Sequence, residues 1–313
     1  MNIKKVLFAP IFLALFVIQV QQAEAFGDTR RYFVRTSSSI IRHAVGNIRY
    51  DFDMGFSADL TSFQIKLARM FGGEVVELRP MHISQDGVAQ SFSGATVAHQ
   101  TGIAGGENIT VAVLDTGIAS HPDLDDNIIG CKDFTLSRPS ADTCVDRNGH
   151  GTHVAGILVS QASDVSVRVY KVCADSGVCF PDDVASAISA ALKDKNNIIL
   201  MGFGAERPSE LIAAAIAAGV KTGTVFIAAA GNGGPYDDSV EYPGAFPGVI
   251  SVGALDQRGN LAEWSSRPAT ILAVGDRVDS TWLEQSYKVL SGTSMAAPYI
   301  AGRTARMLSD REK

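Results

Sequence analysis

The residues best suited to chemistry in this chain are a carboxylate, an imidazole, an amide and a hydroxyl in four separate short segments. Asp115 ends an apolar run, His150 opens the sequence HGTHVAG, Asn232 follows AAAG, and Ser294 lies within SGTSMAAP. A serine hydroxyl is a weak nucleophile at neutral pH, so it needs a base that takes its proton and a group that orients the base. These residue types predict nucleophilic catalysis, with Asn232 as a donor for the negative charge that develops on the substrate.

The elements that must position these residues alternate along the chain. Apolar strands without polar alternation, linked by helices, are typical of a parallel sheet that is covered on both faces. The carboxyl ends of such strands meet at one edge, where the site is expected. Strands are predicted at 109–114, 167–172, 198–201, 224–230 and 249–252, with helices after 150, after 181, from 209 and after 294.

In the order Asp, His, Asn, Ser, the four segments resemble those of the subtilisin-type (subtilase) serine peptidases, over residues 102–308 approximately. The resemblance implies a subtilisin-like three-layer α/β fold with a mostly parallel central sheet. It also implies roles: Ser294 attacks the peptide carbonyl, His150 moves the proton, and Asp115 orients His150. Asn232 and the backbone N–H of Ser294 would hold the tetrahedral oxygen.

The same resemblance implies where the substrate binds. Gly202-Phe203-Gly204 matches a backbone strand that pairs with the substrate, although the family usually has serine at the position of Gly202. Glu241 matches the base of the pocket for the side chain just before the cleaved bond. A carboxylate there would favour lysine or arginine, as an aspartate does in trypsin. The alternative is that Glu241 turns to solvent or pairs with a neighbouring base.

The first 25 residues are typical of a signal peptide. Lys4 and Lys5 precede an apolar run of 13 residues, and the small-x-small sequence AEA ends at residue 25. A membrane-spanning helix needs about 20 apolar residues, so an anchor is the less favoured alternative. We therefore predict export, to the periplasm or the medium, and no membrane association of the mature chain.

Residues 26–88 carry none of the catalytic motifs and form a predicted α+β module. Strands are expected at 31–35, 48–52 and 74–78, a helix at 57–70, and a polar linker at 85–93. Its position before the catalytic domain (89–313) resembles that of the inhibitor propeptides of subtilases, and an unrelated domain is the alternative. The resemblance implies a self-processing zymogen inhibited by its own propeptide.

The cysteines and the calcium ligands complete the predictions. The four cysteines, Cys131, Cys144, Cys173 and Cys179, fit disulfides in an exported protein, and three connectivities are open.

Asp123 matches a calcium ligand of the family, but the segment 157–166 is shorter than the usual calcium loop. We expect no required cofactor and at most weak calcium binding.

Other functions fit the sequence less well than peptide hydrolysis by a serine nucleophile. An aspartic protease would need a second Asp-Thr-Gly, and Asp115-Thr-Gly occurs once. His150 and His153 could bind a metal, but no zincin glutamate follows His150. A secreted binding protein, whose site is kept shut by its own prosegment, is the non-enzymatic alternative.

A net charge of -6 argues against a nucleic-acid partner. The expected partners are protein or peptide substrates, and a monomer is expected.

Overall fold

The computed structural model of the chain describes residues 29–84, 102–136, 140–141 and 144–312. The predicted signal peptide and the predicted linker at 85–93 lie outside these residues. The chain divides into two compact units, Met1–Arg79 and Pro80–Lys313. Among the described residues, no helix has the length and apolar character needed to cross a membrane.

Over its described residues, 29–79, the smaller unit is an antiparallel sheet with two helices. The strands lie in the order β2-β3-β1-β4, and every neighbouring pair is antiparallel. Buried apolar side chains of the strands and helices form one small core. The elements are β1 (Arg30–Arg35), α1 (Ser39–Val45), β2 (Ile48–Phe52), β3 (Gly55–Leu60), α2 (Ser62–Met70) and β4 (Glu74–Glu77).

One sequence prediction in this unit was wrong. The helix expected at 57–70 begins only at Ser62, and residues Gly55–Leu60 form β3, which pairs on both of its sides. Thr61 and Gln64 form a capping box, which satisfies free N–H groups at the helix start and fixes the boundary there. Of the apolar residues whose spacing suggested the longer helix, Leu60 lies in β3, whereas Phe63 and Leu67 lie in α2.

The larger unit holds thirteen strands and four helices among its described residues. Its strands are β5 (Met81–Ile83), β6 (Thr110–Asp115), β7 (Ile128–Asp133), β8 (Ser140–Ala141), β9 (Ser166–Lys171), β10 (Val178–Cys179), β11 (Ile198–Met201), β12 (Phe203–Gly204), β13 (Val225–Ala229), β14 (Val249–Leu255), β15 (Ile271–Val274), β16 (Val278–Thr281) and β17 (Tyr287–Leu290). Its helices are α3 (His150–Gln161), α4 (Pro181–Lys193), α5 (Glu210–Lys221) and α6 (Thr293–Glu312).

A single large sheet forms the centre of this unit. The strand order is β15-β14-β13-β11-β6-β9-β7-β8, and all neighbours are parallel except β7 and β8. The central strands are buried along most of their length, because helices cover both faces. The predicted α/β fold with a mostly parallel sheet is therefore confirmed.

Two disulfides join cysteines that are near neighbours in the sequence. Cys131 pairs with Cys144 and Cys173 with Cys179, with Cα–Cα distances of 5.9 and 4.1 Å. This is one of the three connectivities that the sequence left open. The second pair closes a hairpin whose outer strand is β10.

Candidate active site

Asp115 lies where a central strand ends. It is the last residue of β6, which runs between β11 and β9, and its side chain is fully buried. The N–H of Thr116 donates to Asp115 Oδ1 over 2.7 Å. A carboxylate at this depth needs such donors, since an unpaired buried charge is costly.

His150 is the partner of Asp115. It is the first residue of α3, and its Nδ1 lies 2.7 Å from Asp115 Oδ1. Both side chains are fully buried. Nε2 of His150 is buried and has no hydrogen-bond partner among the described residues. The carboxylate therefore fixes the ring orientation and leaves Nε2 as the nitrogen that can accept a proton.

Ser294 and Asn232 are joined through Thr293. Oδ1 of Asn232 accepts hydrogen bonds from the N–H and from the hydroxyl of Thr293, both over 3.0 Å. These contacts fix the amide so that Nδ2 is a buried donor without a partner. Ser294 lies in the first turn of α6, where backbone N–H groups have no acceptor within the helix and favour negative charge.

Gly202 lies where the three candidate catalytic side chains meet. A Cβ at this position would lie 2.7 Å from Asp115 Oδ2, 3.1 Å from His150 Cε1 and 3.7 Å from Ser294 Cβ. The structure thus brings together residues that are far apart in the sequence. A Cβ at Gly202 would fit only if the Asp115 carboxylate shifted.

A segment of the chain itself lies in the site as an extended strand. β5 runs between β10 and β12 and is antiparallel to both, with His82 opposite Val178 and Gly204. The N–H of Ser84 donates to Gly202 O over 3.0 Å. The hydroxyl of Ser294 lies 2.8 Å from Ser84 O and 2.7 Å from Gly202 O. The carbonyl of Ser84 is therefore presented to the hydroxyl of Ser294.

This strand was not predicted; it lies between the strand expected at 74–78 and the linker expected at 85–93. The signal available was the short alternation of Met81-His-Ile before that linker. The predicted substrate-pairing strand Gly202-Phe203-Gly204 does pair with an extended segment, through β12.

Asp146 is a second buried carboxylate that the sequence analysis missed. Its Oδ1 accepts from the hydroxyl of Thr116 and from the N–H groups of Asn148 and Gly149 over 2.8–3.0 Å. Its Oδ2 accepts from the N–H and the hydroxyl of Thr152 over 3.0 and 2.7 Å. Asp146 thus ties the end of β6 to the start of α3, the two elements that carry the carboxylate and the imidazole.

His153 is held by a backbone hydrogen bond and by packing against an aromatic ring. Its Nε2 lies 2.8 Å from Lys288 O, and its ring packs edge-on against Trp282. Burial lowers the pKa of His153 to about 3, so its ring is neutral. Across the described residues, no group of three or more His, Cys, Asp or Glu side chains is arranged to hold a metal ion. His153 belongs to the packing between α3 and the β16–β17 hairpin.

Asp123, the residue that matches a calcium ligand, is engaged by protein groups. Its Oδ2 accepts a hydrogen bond from the hydroxyl of Tyr287, and its N–H donates to His121 Nδ1 over 3.2 Å. Burial and the bond to this carboxylate raise the pKa of Tyr287 to about 12. At least one oxygen of Asp123 is therefore already satisfied within the chain.

Glu241 lies beside the strand that pairs with the substrate-like segment. A Cβ added at Gly204 or at Gly231 would collide with the Glu241 side chain, so its carboxylate lies between these two stretches of backbone. Burial, and then the charge of Glu206, raise the pKa of Glu241, whereas the N–H of Asn232 lowers it. Among the described residues, no cation forms an ion pair with Glu241.

Comparison with known proteins agrees with this geometry. A model of the subtilase family matches residues 106–313, most of the larger unit. The chain therefore belongs to the subtilase family, which confirms the resemblance inferred from the four segments.

Individual relatives are similar over about two thirds of the chain. A subtilisin of Bacillus sp. (strain TA39) is 37% identical over 66% of this chain, which spans 58% of that relative's length. Subtilisin Savinase of Lederbergia lenta is 36% identical over 67% of this chain and 80% of its own. Among solved structures, Sphericase matches with a TM-score of 0.64 and 37% identity, covering 68% of this chain and 81% of its own.

The hydrogen bonds of Asp146 lead to a prediction about stability. In Asp146→Asn, an amide NH₂ replaces one acceptor oxygen and faces N–H and hydroxyl donors, which lose their partner. The free energy of unfolding should fall by about 2–3 kcal/mol. Urea denaturation measures it, with Asp126→Asn as the matched control because the Asp126 side chain is exposed. Equal stability of the two variants would contradict the role given to Asp146.

Proposed function

We propose that this protein is an exported serine endopeptidase that hydrolyses peptide bonds through an acyl-enzyme intermediate. The observation that carries the proposal is the distance of 2.8 Å between Ser294 Oγ and the carbonyl oxygen of Ser84. An extended peptide, paired on both sides with backbone, presents a carbonyl to a hydroxyl beside an oriented imidazole. Acyl transfer needs these three groups close together, with the hydroxyl turned towards His150 Nε2, which has no other hydrogen-bond partner among the described residues.

The residues act as follows. Ser294 Oγ attacks the carbonyl carbon, and its proton passes to His150 Nε2. Asp115 stabilises the imidazolium that forms. The oxyanion is held by the N–H of Ser294 and by Nδ2 of Asn232, which is aimed by Thr293. His150 then protonates the leaving amine, and water hydrolyses the ester by the reverse sequence of proton transfers.

We further propose that the chain is a zymogen that cleaves itself at the Ser84–Gln85 bond. Residues 81–84 lie in the cleft as a substrate would, and the carbonyl of Ser84 belongs to that bond. Cleavage there would fall shortly before the boundary predicted at residue 88. Residues 26–84 would then act as an intramolecular inhibitor, and the signal peptide at 1–25 would direct export of the monomeric chain.

Ser294→Ala tests the nucleophile and the cleavage together. We expect purified wild-type protein to begin at Gln85 and the variant to remain an uncut precursor without peptidase activity, because the attacking oxygen is gone. N-terminal sequencing and intact mass measure this. Ser291→Ala is the matched control, since the Ser291 hydroxyl donates to Asp276. Cleavage of Ser294→Ala at the normal rate would mean that another group or another enzyme cuts the bond.

Asn232→Ala tests the oxyanion donor. We expect kcat to fall by about 10²–10³ with little change in KM, because Nδ2 gains its partner only as the oxyanion forms. This magnitude is the one known for the corresponding donor of a subtilisin, taken over from that enzyme. A rise in KM at unchanged kcat would instead assign Asn232 to ground-state binding.

Glu241 should set a preference for lysine or arginine just before the cleaved bond. The raised carboxyl pKa means that the charged form appears at higher pH than usual, so the preference should strengthen as pH rises through that pKa. Peptide-library profiles at acidic and neutral pH measure it. We expect Glu241→Gln to lose the preference, whereas Glu206→Gln, at an exposed position, should keep it and extend it to lower pH, because the charge of Glu206 raises the pKa of Glu241. A preference for Phe or Leu that is unchanged in Glu241→Gln would refute this role.

No cofactor enters the proposed mechanism, and calcium is expected to matter little for stability. Asp123 already binds Tyr287, and ligand-linked stabilisation needs a site that binds the native state. Melting curves with and without a chelator should nearly coincide. A large decrease in melting temperature on chelation would show that a calcium site exists elsewhere in the chain.

A further inference from the structure

One wall of the substrate cleft has few partners of its own. β10 is the edge strand of a three-stranded sheet in the order β10-β5-β12, so its one neighbour in that sheet is β5. Val178 lies opposite His82, and Cys179 lies opposite Met81. When β5 is replaced by a substrate, β10 must pair with the residues that occupy the third and fourth positions before the cleaved bond.

The hairpin that carries β10 is short. Its backbone is closed by the N–H of Ala174, which donates to Val178 O, and by the N–H of Gly177, which donates to Ala174 O, both over 2.8 Å. Gly177 also accepts the N–H of Ile83 over 3.1 Å, so the turn itself contacts the substrate-like segment. The turn is also held at Asp175, whose backbone O accepts from Nδ2 of Asn148 over 2.9 Å and whose Oδ1 accepts from Nζ of Lys171 over 2.8 Å. Ordering backbone costs about 1–2 kcal/mol for each residue, so the two-residue strand itself gains from a further constraint.

The Cys173–Cys179 disulfide supplies a covalent constraint. It joins residues that are separated by 6 positions, and both cysteines are fully buried. The N–H of Cys173 donates to Asp115 O over 3.1 Å. The disulfide therefore links the substrate-pairing strand covalently to a residue that is hydrogen-bonded to the backbone of the candidate catalytic carboxylate.

We propose that Cys173 and Cys179 are a positioning pair for the substrate. Their disulfide holds β10 in its pairing position before a peptide arrives, so the third and fourth substrate residues bind a strand that is already ordered. Preorganisation of this kind increases affinity, because less conformational entropy is lost when the substrate binds. The inference rests on the proposed peptidase function and adds to it a structural reason for the enzyme to bind long, extended peptides more tightly than short ones.

The other disulfide provides a matched control. Cys131 and Cys144 are separated by 13 residues, and a longer closed loop contributes at least as much stability in the chain-entropy account. Cys131–Cys144 lies outside the three-stranded sheet that contains β10. Removing Cys131–Cys144 should therefore lower the free energy of unfolding by at least as much as removing Cys173–Cys179 does. It should not affect the pairing of β10 with extended peptides.

The experiment compares the processed wild-type protein with Cys173→Ala/Cys179→Ala and with Cys131→Ala/Cys144→Ala. The two substrates are a blocked single-residue ester and a four-residue peptide ester with the same last residue and leaving group. The measured quantity is the ratio of their kcat/KM values. We expect the advantage of the longer substrate to fall about tenfold in Cys173→Ala/Cys179→Ala, mainly through KM, and to persist in the control.

The remaining outcomes separate the possible failures. An equal ratio in all three proteins overturns the inference, and so does an equal decrease in both double variants. If Cys173→Ala/Cys179→Ala does not fold, Cys173→Ser/Cys179→Ser gives the same comparison, because each side chain keeps nearly its size and the covalent bond is absent. A wild-type protein that hydrolyses neither substrate refutes the proposed function itself.

Discussion

The hydrogen bond between Asp115 and His150 is made away from water, and the surrounding structure has to make that possible. A buried carboxylate or imidazolium is costly unless it is paired and hydrogen-bonded. The end of β6 brings the carboxylate to one edge of the sheet, and the start of α3 brings the imidazole to it. Asp146 holds these two elements together with five hydrogen bonds, none of which involves the reacting atoms.

The substrate cleft differs from this buried pair, because its two short strands need a third strand between them to form a sheet. β10 and β12 are two residues long, and each pairs with β5 in the sheet that a bound peptide would complete. Without β5, the facing edges of β10 and β12 would be open to an added strand, which such edges recognise by its backbone more than by its side chains. The buried pair of Asp115 and His150 is therefore fixed by the fold. The two short strands beside it are ordered by pairing with a peptide and, as we propose for β10, by the Cys173–Cys179 disulfide.

The larger elements could be predicted from the sequence because each has a long, consistent pattern. The strand at Ile198–Met201 and the helix after His150 appear where the pattern put them. Two-residue strands such as β10 show no periodicity, so no pattern could predict them. The helix expected at 57–70 failed because apolar spacing alone does not distinguish a buried strand from a helix turn. Pairing of β3 with two neighbours decided that segment.

By itself, the sequence determined the chemistry: a carboxylate, an imidazole, an amide and a hydroxyl, each in a local motif that ends a strand or begins a helix. Those motifs are local, so their residue types can be read without knowing what they approach. Only the tertiary structure decided the distances between them and the register of Ser84 against Gly202. It also decided which cysteines pair and that Gly202 lies among the three candidate catalytic side chains. These depend on contacts between residues far apart in the chain, which the packing of the sheet and helices sets and no local pattern encodes.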